Sequence, residues 1–266
     1  MNERLLTTPD GRNVLHMQRR LTHPPAKVWR ALTEPEHLAR WFPTEVRIEG
    51  DRVRFGFGPD GSVIAHDPPH LFAFTWGEDE LRWKLSPDTT GGTLLDFTHT
   101  FADRHGAASF ASGWHTCFTA LARLLDGARP PAPGDTAALH EHYVAILGLS
   151  SGAVRGDTVR LERQLTRPAP EVWQALHGDQ ATISTPPPAP FAASGVEAGP
   201  VTRVEPGKLL EYAAGAGTVR WELAEGTGHG ARLVVTHTGD PAALPAWRAH
   251  VEDLAAALAA LARPGA

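Results

Sequence analysis

The sequence predicts two tandem domains of the α+β class, each with an antiparallel sheet followed by a long helix. Residues 17–33 return as residues 161–177 with eight of the 17 positions identical, and residues 70–100 return more weakly as residues 208–238. Within each copy, the hydrophobic period changes from two to that of a helix. The repeat is far longer than a solenoid unit of about 20 to 50 residues, so each copy should bury its own core.

Composition restricts the class of protein. The chain has 266 residues, of which 42% are hydrophobic, and a formal net charge of −5. Acidic and basic residues are interleaved, so we expect no nucleic-acid surface. No apolar run reaches the roughly 18 residues of a membrane span, and the start lacks the apolar run of a signal peptide, so we expect a cytoplasmic protein without a membrane span. Cys117 is the single cysteine, which excludes an internal disulfide.

The first copy begins with a strand and two helices. Residues 14–21 alternate between an apolar and a polar face, which predicts a strand. Pro25 stands where a helix can begin, and the apolar stripe that includes Trp29 has helical spacing. A second short helix is predicted to end near Trp41, before the helix breaker Pro43.

A meander and a closing helix complete the first copy. From Val46 to Phe101 the sequence alternates with period two between turn sequences, which predicts an antiparallel meander with one buried face. After Arg104 the apolar spacing becomes helical from Trp114 to Leu125. This pattern predicts a long amphipathic helix that lies on the sheet.

These patterns set the predicted domain boundaries. The first domain is predicted at residues 1–150, with a core at 13–128 and an extra helix at 137–149. The second domain is predicted at residues 151–266. We expect the two domains to pack against each other.

The second copy has lost part of the plan. Residues 181–199, rich in Pro, Ala and Gly, stand where the first copy has its second helix and first hairpin. The meander strands and a closing helix with Trp247 in the place of Trp114 remain recognisable. We therefore expect a degenerate second domain with the same scaffold.

Several segments of the first copy resemble one known protein group. VWRALT, PEHLARWF, PPHLFAFTW, LDFTHTF and GWHTCFTALARLLDG occur in the order found in the START-like (SRPBCC) superfamily, and in particular in the family of Hsp90 ATPase activator homologues. The second copy resembles the same group in VWQAL, VRWEL and VVTHT. The resemblance implies a helix-grip fold, in which a curved antiparallel sheet wraps around the long C-terminal helix and encloses a cavity.

Aromatic residues are expected on the walls or at the mouth of this cavity. A cavity of this type commonly binds a small molecule, and aromatic walls favour a flat, largely apolar ligand. Alternatively, the rings simply fill the core, as aromatic residues on strands often do. The residues concerned are Trp41, Phe55, Phe57, Phe72, Phe74, Trp76, Trp83, Phe97, Trp114 and Phe118.

Two polar residues are further ligand-site candidates. His99 lies on the apolar face of its strand and recurs as His237, so it is either a hydrogen-bonded structural residue or a ligand contact. Arg19, which recurs as Arg163, is predicted to point inward. A buried guanidinium is costly unless it is paired, so a carboxylate, loop carbonyls or an acidic ligand should contact it.

Gly113 is the last candidate, because glycine within a helix costs about 0.5–1 kcal/mol relative to alanine. Close approach of the helix to the sheet, or of a ligand to the backbone, would compensate. The START-like group includes the self-sacrifice resistance protein of calicheamicin producers, in which the captured enediyne cuts the backbone at a glycine. That resemblance makes Gly113 a possible ligand contact.

The sequence indicates no cofactor and no metal site. Residues 56–61 match GxGxxG, but they form a turn between two strands rather than the start of a helix. His140 and His142 are too close in sequence to share one helix face.

Three functions are compatible with these features. The first is binding or sequestration of an apolar, polycyclic small molecule, as in natural-product or antibiotic self-resistance. The second is an enzyme of the polyketide cyclase or aromatase type, which would need His99 or Arg19 as its polar group. The third is a co-chaperone similar to Hsp90 ATPase activators. No catalytic constellation is recognised, and we favour the first function.

Overall fold

Two compact units make up the structure, a computed structural model that describes residues 3–129 and 134–261. The first unit comprises Met1–Ala107 and Ala111–Gly134, and the second comprises Ala108–Phe110 and Asp135–Ala266. Each contains an antiparallel sheet and a long closing helix, the helix-grip arrangement. The prediction of two tandem α+β domains is confirmed.

The first unit contains a sheet in the order β1-β2-β8-β7-β6-β5-β4-β3. Its strands are β1 (Arg4–Thr7), β2 (Asn13–Leu21), β3 (Val46–Glu49), β4 (Arg52–Phe55), β5 (Gly61–Asp67), β6 (Leu71–Trp76), β7 (Asp79–Pro87) and β8 (Thr93–Phe101). Its helices are α1 (Pro25–Thr33), α2 (Pro35–Leu38) and α3 (Ala107–Leu125). The predicted meander is therefore present, and the first predicted strand, β2, pairs with its last strand. β1 escaped prediction because its four residues are too few for a periodic pattern.

The second unit contains a smaller sheet in the order β11-β12-β13-β14-β10-β9. Its strands are β9 (Ala153–Arg155), β10 (Thr158–Gln164), β11 (Val201–Glu205), β12 (Leu209–Ala214), β13 (Gly217–Glu225) and β14 (Ala231–Thr238). Its helices are α4 (Ala137–Ile146), α5 (Ala169–Ala175) and α6 (Leu244–Ala260). Across the described ranges of both units, no helix is long and apolar enough to cross a membrane.

The structure places α4 with the second unit, whereas the sequence assigned this helix to residues 1–150. Glu141 of α4 forms an ion pair with Arg163 of β10, which in turn pairs with Glu252 of α6. Sequence patterns could not reveal this connection because the three residues lie on separate elements.

The segment 181–199 contains no strand, in agreement with its composition. A short 3₁₀ turn at Ala189–Phe191 carries the Phe191 side chain into the core, where it is fully buried. Phe191 packs edge-to-face on Trp221, with ring centroids 5.3 Å apart. A coil therefore fills space that the hairpin of β3 and β4 occupies in the first unit.

Candidate functional site

Strand register places a row of apolar side chains across the concave face of the first sheet. Met17 of β2 pairs with Phe97 of β8, Phe97 pairs with Trp83 of β7, and Trp83 pairs with Phe72 of β6. All four are at most 1% exposed. Because directly paired residues project to the same face of a sheet, the alternating pattern brings these side chains into one layer.

Helix α3 adds two rings to this layer. Trp114 and Phe118 lie four residues apart, so both side chains project from one face of the helix. Their ring centroids are 4.7 and 5.1 Å from that of Phe97. Both residues are buried. The predicted contact between closing helix and aromatic sheet face is therefore present.

The rings that contact one another on this face form the aromatic group, which comprises Phe42, Phe55, Phe57, Phe72, Phe74, Trp76, Trp83, Phe97, Trp114 and Phe118. Phe42 lies at its centre, although it was not among the site residues predicted from the sequence. Its ring centroid is 5.6 Å from that of Trp114 and 5.9 Å from that of Trp76. The neighbouring Trp41 is buried and donates from Nε1 to the carbonyl of Ala31 at 2.8 Å. The sequence contained one signal for Phe42: it follows Trp41 at the end of a predicted helix and directly precedes Pro43.

The aromatic group reaches solvent at one end. Phe55 stacks on Trp76 with centroids 4.5 Å apart, and both are half-buried. Phe57 also contacts Trp76, at 5.3 Å, and is 59% exposed. Gly58 adopts φ +78° beside this indole, and a Cβ there would lie 2.9 Å from Trp76 Nε1. A glycine is therefore needed for the loop to pass over the tryptophan.

The structure brings most of the predicted site residues together, but it separates Gly113 from them. Gly113 is exposed, and a Cβ at this position would meet no atom within 4 Å. Its neighbour Trp114 points to the buried face, and consecutive helical residues do not share a face. The prediction that Gly113 allows close approach of the helix to the sheet is therefore wrong.

His99 links the last strand to the closing helix. Trp114 Nε1 donates to His99 Nδ1 at 3.2 Å, and His99 Nε2 lies 3.0 Å from Asp79 Oδ2. An indole nitrogen can only donate, so Nδ1 is the acceptor and the proton of the neutral ring is on Nε2, facing Asp79. Burial lowers the pKa of His99, an effect that Asp79 opposes.

The second unit repeats this arrangement. Trp247 Nε1 donates to His237 Nδ1 at 3.0 Å, and burial lowers the pKa of His237. A contact present in both units has a structural explanation, because it ties the closing helix to its sheet. Both nitrogens of His99 are engaged, which weakens its candidacy as the acid or base of an enzyme.

Arg19 points toward the interior of the first unit, as predicted. Its Nη1 donates to Glu3 Oε1 and to the carbonyl of Gln18, both at 2.7 Å. Its guanidinium carbon lies 5.7 Å from the ring centroid of Phe118. The buried Nη2 has no hydrogen-bond partner among the residues that the structure describes.

Arg163, its counterpart in the second unit, is paired on all sides. Its Nε donates to Glu252 Oε1 at 3.0 Å, its Nη1 donates to the carbonyl of Gln164 at 2.6 Å, and its Nη2 contacts both Glu252 and Glu141. Burial alone would raise the pKa of Glu141, but hydrogen bonds from His140 and Arg163 and the charge of Arg163 lower it overall. The two arginines therefore differ in how far their donors are satisfied.

One group of potential metal ligands occurs in the described part of the chain. Oxygen and nitrogen atoms of Glu34, Glu36 and His37 lie within 4.8 Å of one another. Glu34 already accepts a hydrogen bond from Arg30 at 2.8 Å, which lowers its pKa. The arrangement is explained by surface ion pairing.

Most of the first unit is similar to one known protein family. Residues 22–126 match the family model described as activator of Hsp90 ATPase homolog 1-like protein. The chain is similar to this family over that segment. The match covers α1 to α3, the elements that build the aromatic group. The search of curated proteins found no match to the chain.

Solved structures with similar folds have low sequence identity to the chain. A conserved protein of unknown function from Enterococcus faecalis is 20% identical, with 55% of this chain and 90% of that chain covered and a TM-score of 0.48. CalU16 from Micromonospora echinospora is 20% identical, with 55% and 94% covered and a TM-score of 0.45. DynU16, from the dynemicin biosynthetic locus, is 17% identical, with 93% and 97% covered and a TM-score of 0.42.

Proposed function

We propose that the first unit binds a flat, largely apolar small molecule between α3 and the concave face of its sheet. The supporting observation is an aromatic group that runs from the buried Phe97 to the exposed Phe57 through Trp76. Aromatic walls recognise flat ligands by stacking and edge-to-face contacts.

A comparison within the chain indicates that these rings exceed what the scaffold requires. Four aromatic positions of the first unit are aliphatic in the second, although the strands and the closing helix are retained. Phe72, Trp76, Phe97 and Phe118 correspond to Leu210, Ala214, Val235 and Val251. Since the same scaffold forms without the four rings, ligand binding gives a reason for their presence in the first unit.

Entry of a ligand requires separation of rings that touch one another. The half-buried pair of Phe55 and Trp76 is the natural place, because β4 is joined to β5 by only two residue pairs, Arg52 with Ser62 and Val53 with Gly61. Displacement of the hairpin of β3 and β4 would uncover Trp76 and Phe42 without breaking the central strand ladders.

The biological role that fits such binding is sequestration of a polycyclic natural product, as in antibiotic self-resistance. This role requires tight binding and no chemical step. Its support is the apolar nature of the aromatic group together with the engagement of His99 by Trp114 and Asp79.

Titration with polycyclic compounds tests the proposal. Five of the eight tryptophans belong to the first unit, so anthracene or 9,10-anthraquinone should quench tryptophan fluorescence and raise the melting temperature. Phe97→Val, which copies Val235, should weaken binding at least 10-fold. Val235→Ala in the second unit is the matched control and should leave affinity unchanged. Unchanged fluorescence and melting temperature across the panel would contradict the proposal.

The family match favours one alternative, a co-chaperone role. Residues 22–126 match a family named for Hsp90 ATPase activation. Purified Hsp90 and the full chain should then form a complex in a co-sedimentation experiment at micromolar concentrations. Complex formation together with stimulated ATP hydrolysis would replace the small-molecule proposal.

A further inference from the structure

Trp83 buries a hydrogen-bond donor without an acceptor. The residue is 1% exposed, and its Nε1 has no hydrogen-bond partner within the described residues. An indole nitrogen can donate but cannot accept, so only an acceptor atom can satisfy it. A buried donor that lacks an acceptor costs free energy that a suitable ligand atom would recover.

In the second unit, the strand beside the equivalent tryptophan carries a tyrosine. Trp221 corresponds to Trp83, and Tyr212 on the neighbouring strand corresponds to Phe74. The Tyr212 hydroxyl donates to the carbonyl of Phe191 at 2.8 Å, and Trp221 Nε1 has no hydrogen-bond partner within the described residues, as is true of Trp83 Nε1 in the first unit. In the first unit the Phe74 ring stands 5.0 Å from that of Trp83 and offers no oxygen.

Arg19 is the second unsatisfied donor of the first unit. Its buried Nη2 lacks a partner in the described ranges, whereas the same atom of Arg163 contacts two glutamates. Glu252, one of these glutamates, corresponds to Thr119 in α3, an exposed residue without charge. The first unit therefore lacks a carboxylate that its counterpart supplies.

Both donors belong to the same concave face. Arg19 pairs with Leu95, which pairs with Leu85, and Trp83 lies two residues from Leu85 on β7. Two strand spacings and two residue steps separate the Cα atoms of Arg19 and Trp83 by about 12 Å. The Phe97 ring contacts both Trp83 and Phe118, and Phe118 lies beneath Arg19.

We propose that the ligand of the first unit is an oxygenated, acidic polycycle. A carbonyl or hydroxyl oxygen accepts from Trp83 Nε1, and a carboxylate or phenolate accepts from Arg19 Nη2. The aromatic rings between the two donors contact the flat body of the ligand. This assignment rests on the proposed function and names the class of compound that the site accepts.

Three related compounds measure the separate contributions of the Trp83 and Arg19 donors to ligand affinity. Anthracene, 9,10-anthraquinone and anthraquinone-2-carboxylate share a flat three-ring body and differ in their oxygens. Fluorescence titration should show the quinone binding about 5- to 10-fold more tightly than anthracene, the gain of one hydrogen bond. The carboxylate should bind roughly 10-fold or more tightly than the quinone, since charge-assisted bonds to Arg are stronger.

Substitutions test which donor is responsible for each increase in affinity. Arg19→Gln should remove the advantage of the carboxylate and leave the quinone unaffected. Trp83→Phe should remove the advantage of the quinone over anthracene, and Trp221→Phe in the second unit is its matched control. Since Trp83→Phe also removes core volume, Phe74→Tyr serves as a second test: its hydroxyl should weaken quinone binding and spare anthracene.

The outcomes distinguish this inference from the proposed function. Equal affinity for the three probes would overturn the inference and leave the proposed function intact. Failure of all three to bind would overturn both. An advantage of the carboxylate that survives Arg19→Gln, or of the quinone that survives both Trp83→Phe and Phe74→Tyr, would overturn the assignment of the corresponding donor.

Discussion

The two units share the hydrogen bond that joins the closing helix to the sheet, but they differ in the side chains that fill the space between sheet and helix. Both have a tryptophan of the closing helix bonded to a histidine of the last strand, Trp114 with His99 and Trp247 with His237. Among the residues that the structure describes, only the first unit has an aromatic group that reaches solvent, which includes the exposed Phe57. Comparison of the two units therefore distinguishes side chains that the fold needs, which occur in both, from side chains available for binding, which occur in the first alone.

The interior of the second unit is completed by its own coil. Phe191 is fully buried, and its carbonyl accepts a hydrogen bond from the Tyr212 hydroxyl at 2.8 Å. His250 of α6 lies 2.8 Å from the carbonyl of Pro190, through Nε2. The loss of the hairpin is therefore offset by a segment that is fixed at several points.

The largest expected effect on stability comes from removal of the buried Phe191 side chain in the second unit. Phe191→Ala should lower the free energy of unfolding of the second unit by about 4 kcal/mol, the cost of a buried Phe-to-Ala change. Hydrogen exchange should show faster exchange in β12 and β13, with the first unit unchanged. Ile183→Ala, an exposed position in the same coil, is the control. Equal effects of the two changes would argue against Phe191 as a core residue.

Substitution of Arg163 should destabilise its unit more than substitution of Arg19 destabilises the first unit. Arg163→Met leaves Glu141 and Glu252 without their cation and should destabilise the second unit by about 3 kcal/mol. Arg19→Met breaks one ion pair with Glu3 and also removes a buried unpaired donor, so a loss of about 1 kcal/mol is expected. Hydrogen exchange measured separately for the two units checks this order. A larger loss at Arg19 would mean that its Nη2 is satisfied in solution.

The corresponding histidines of the two units, His99 and His237, should make the free energy of unfolding decrease in acid. Burial lowers the pKa of His99 and His237 below the value near 6.5 that each has when unfolded. Below about pH 6.5 the unfolded chain therefore binds more protons, and the free energy of unfolding decreases by up to about 1.4 kcal/mol per pH unit for each histidine. Above that pH the full stability is present.

Substitution of the histidines checks this pH dependence. Unfolding of His99→Gln and His237→Gln should each show a shallower decrease between pH 6.5 and pH 5 than the parent protein. Slopes identical to the parent in both variants would contradict neutral histidines in the folded state.

The smallest expected effect on stability is at Phe57. Its ring is 59% exposed, so Phe57→Ala should change the free energy of unfolding by no more than about 0.5 kcal/mol. The same change should weaken anthracene binding, because it removes a ring at the solvent end of the aromatic group. Unaltered affinity would restrict the ligand site to the buried rings.

Sequence patterns predicted the scaffold better than the candidate site. Period-two alternation identified the strands from Val46 to Phe101 because one face of each is buried. The partners of His99 and Arg19, namely Asp79 and Glu3, escaped prediction since each contact joins separate strands or lies beyond a strand end. Helical periodicity placed Trp114 inward, but the reason for Gly113 could not be judged without knowing which face of α3 is exposed.

The weak connection between β4 and β5 has a consequence for kinetics. Two ladder pairs join β4 to β5, while nine join β2 to β8. Local opening at this edge should therefore cost far less free energy than global unfolding. Exchange of a bound molecule can then proceed on a timescale set by the hairpin alone, so residence time and the lifetime of the fold can vary independently.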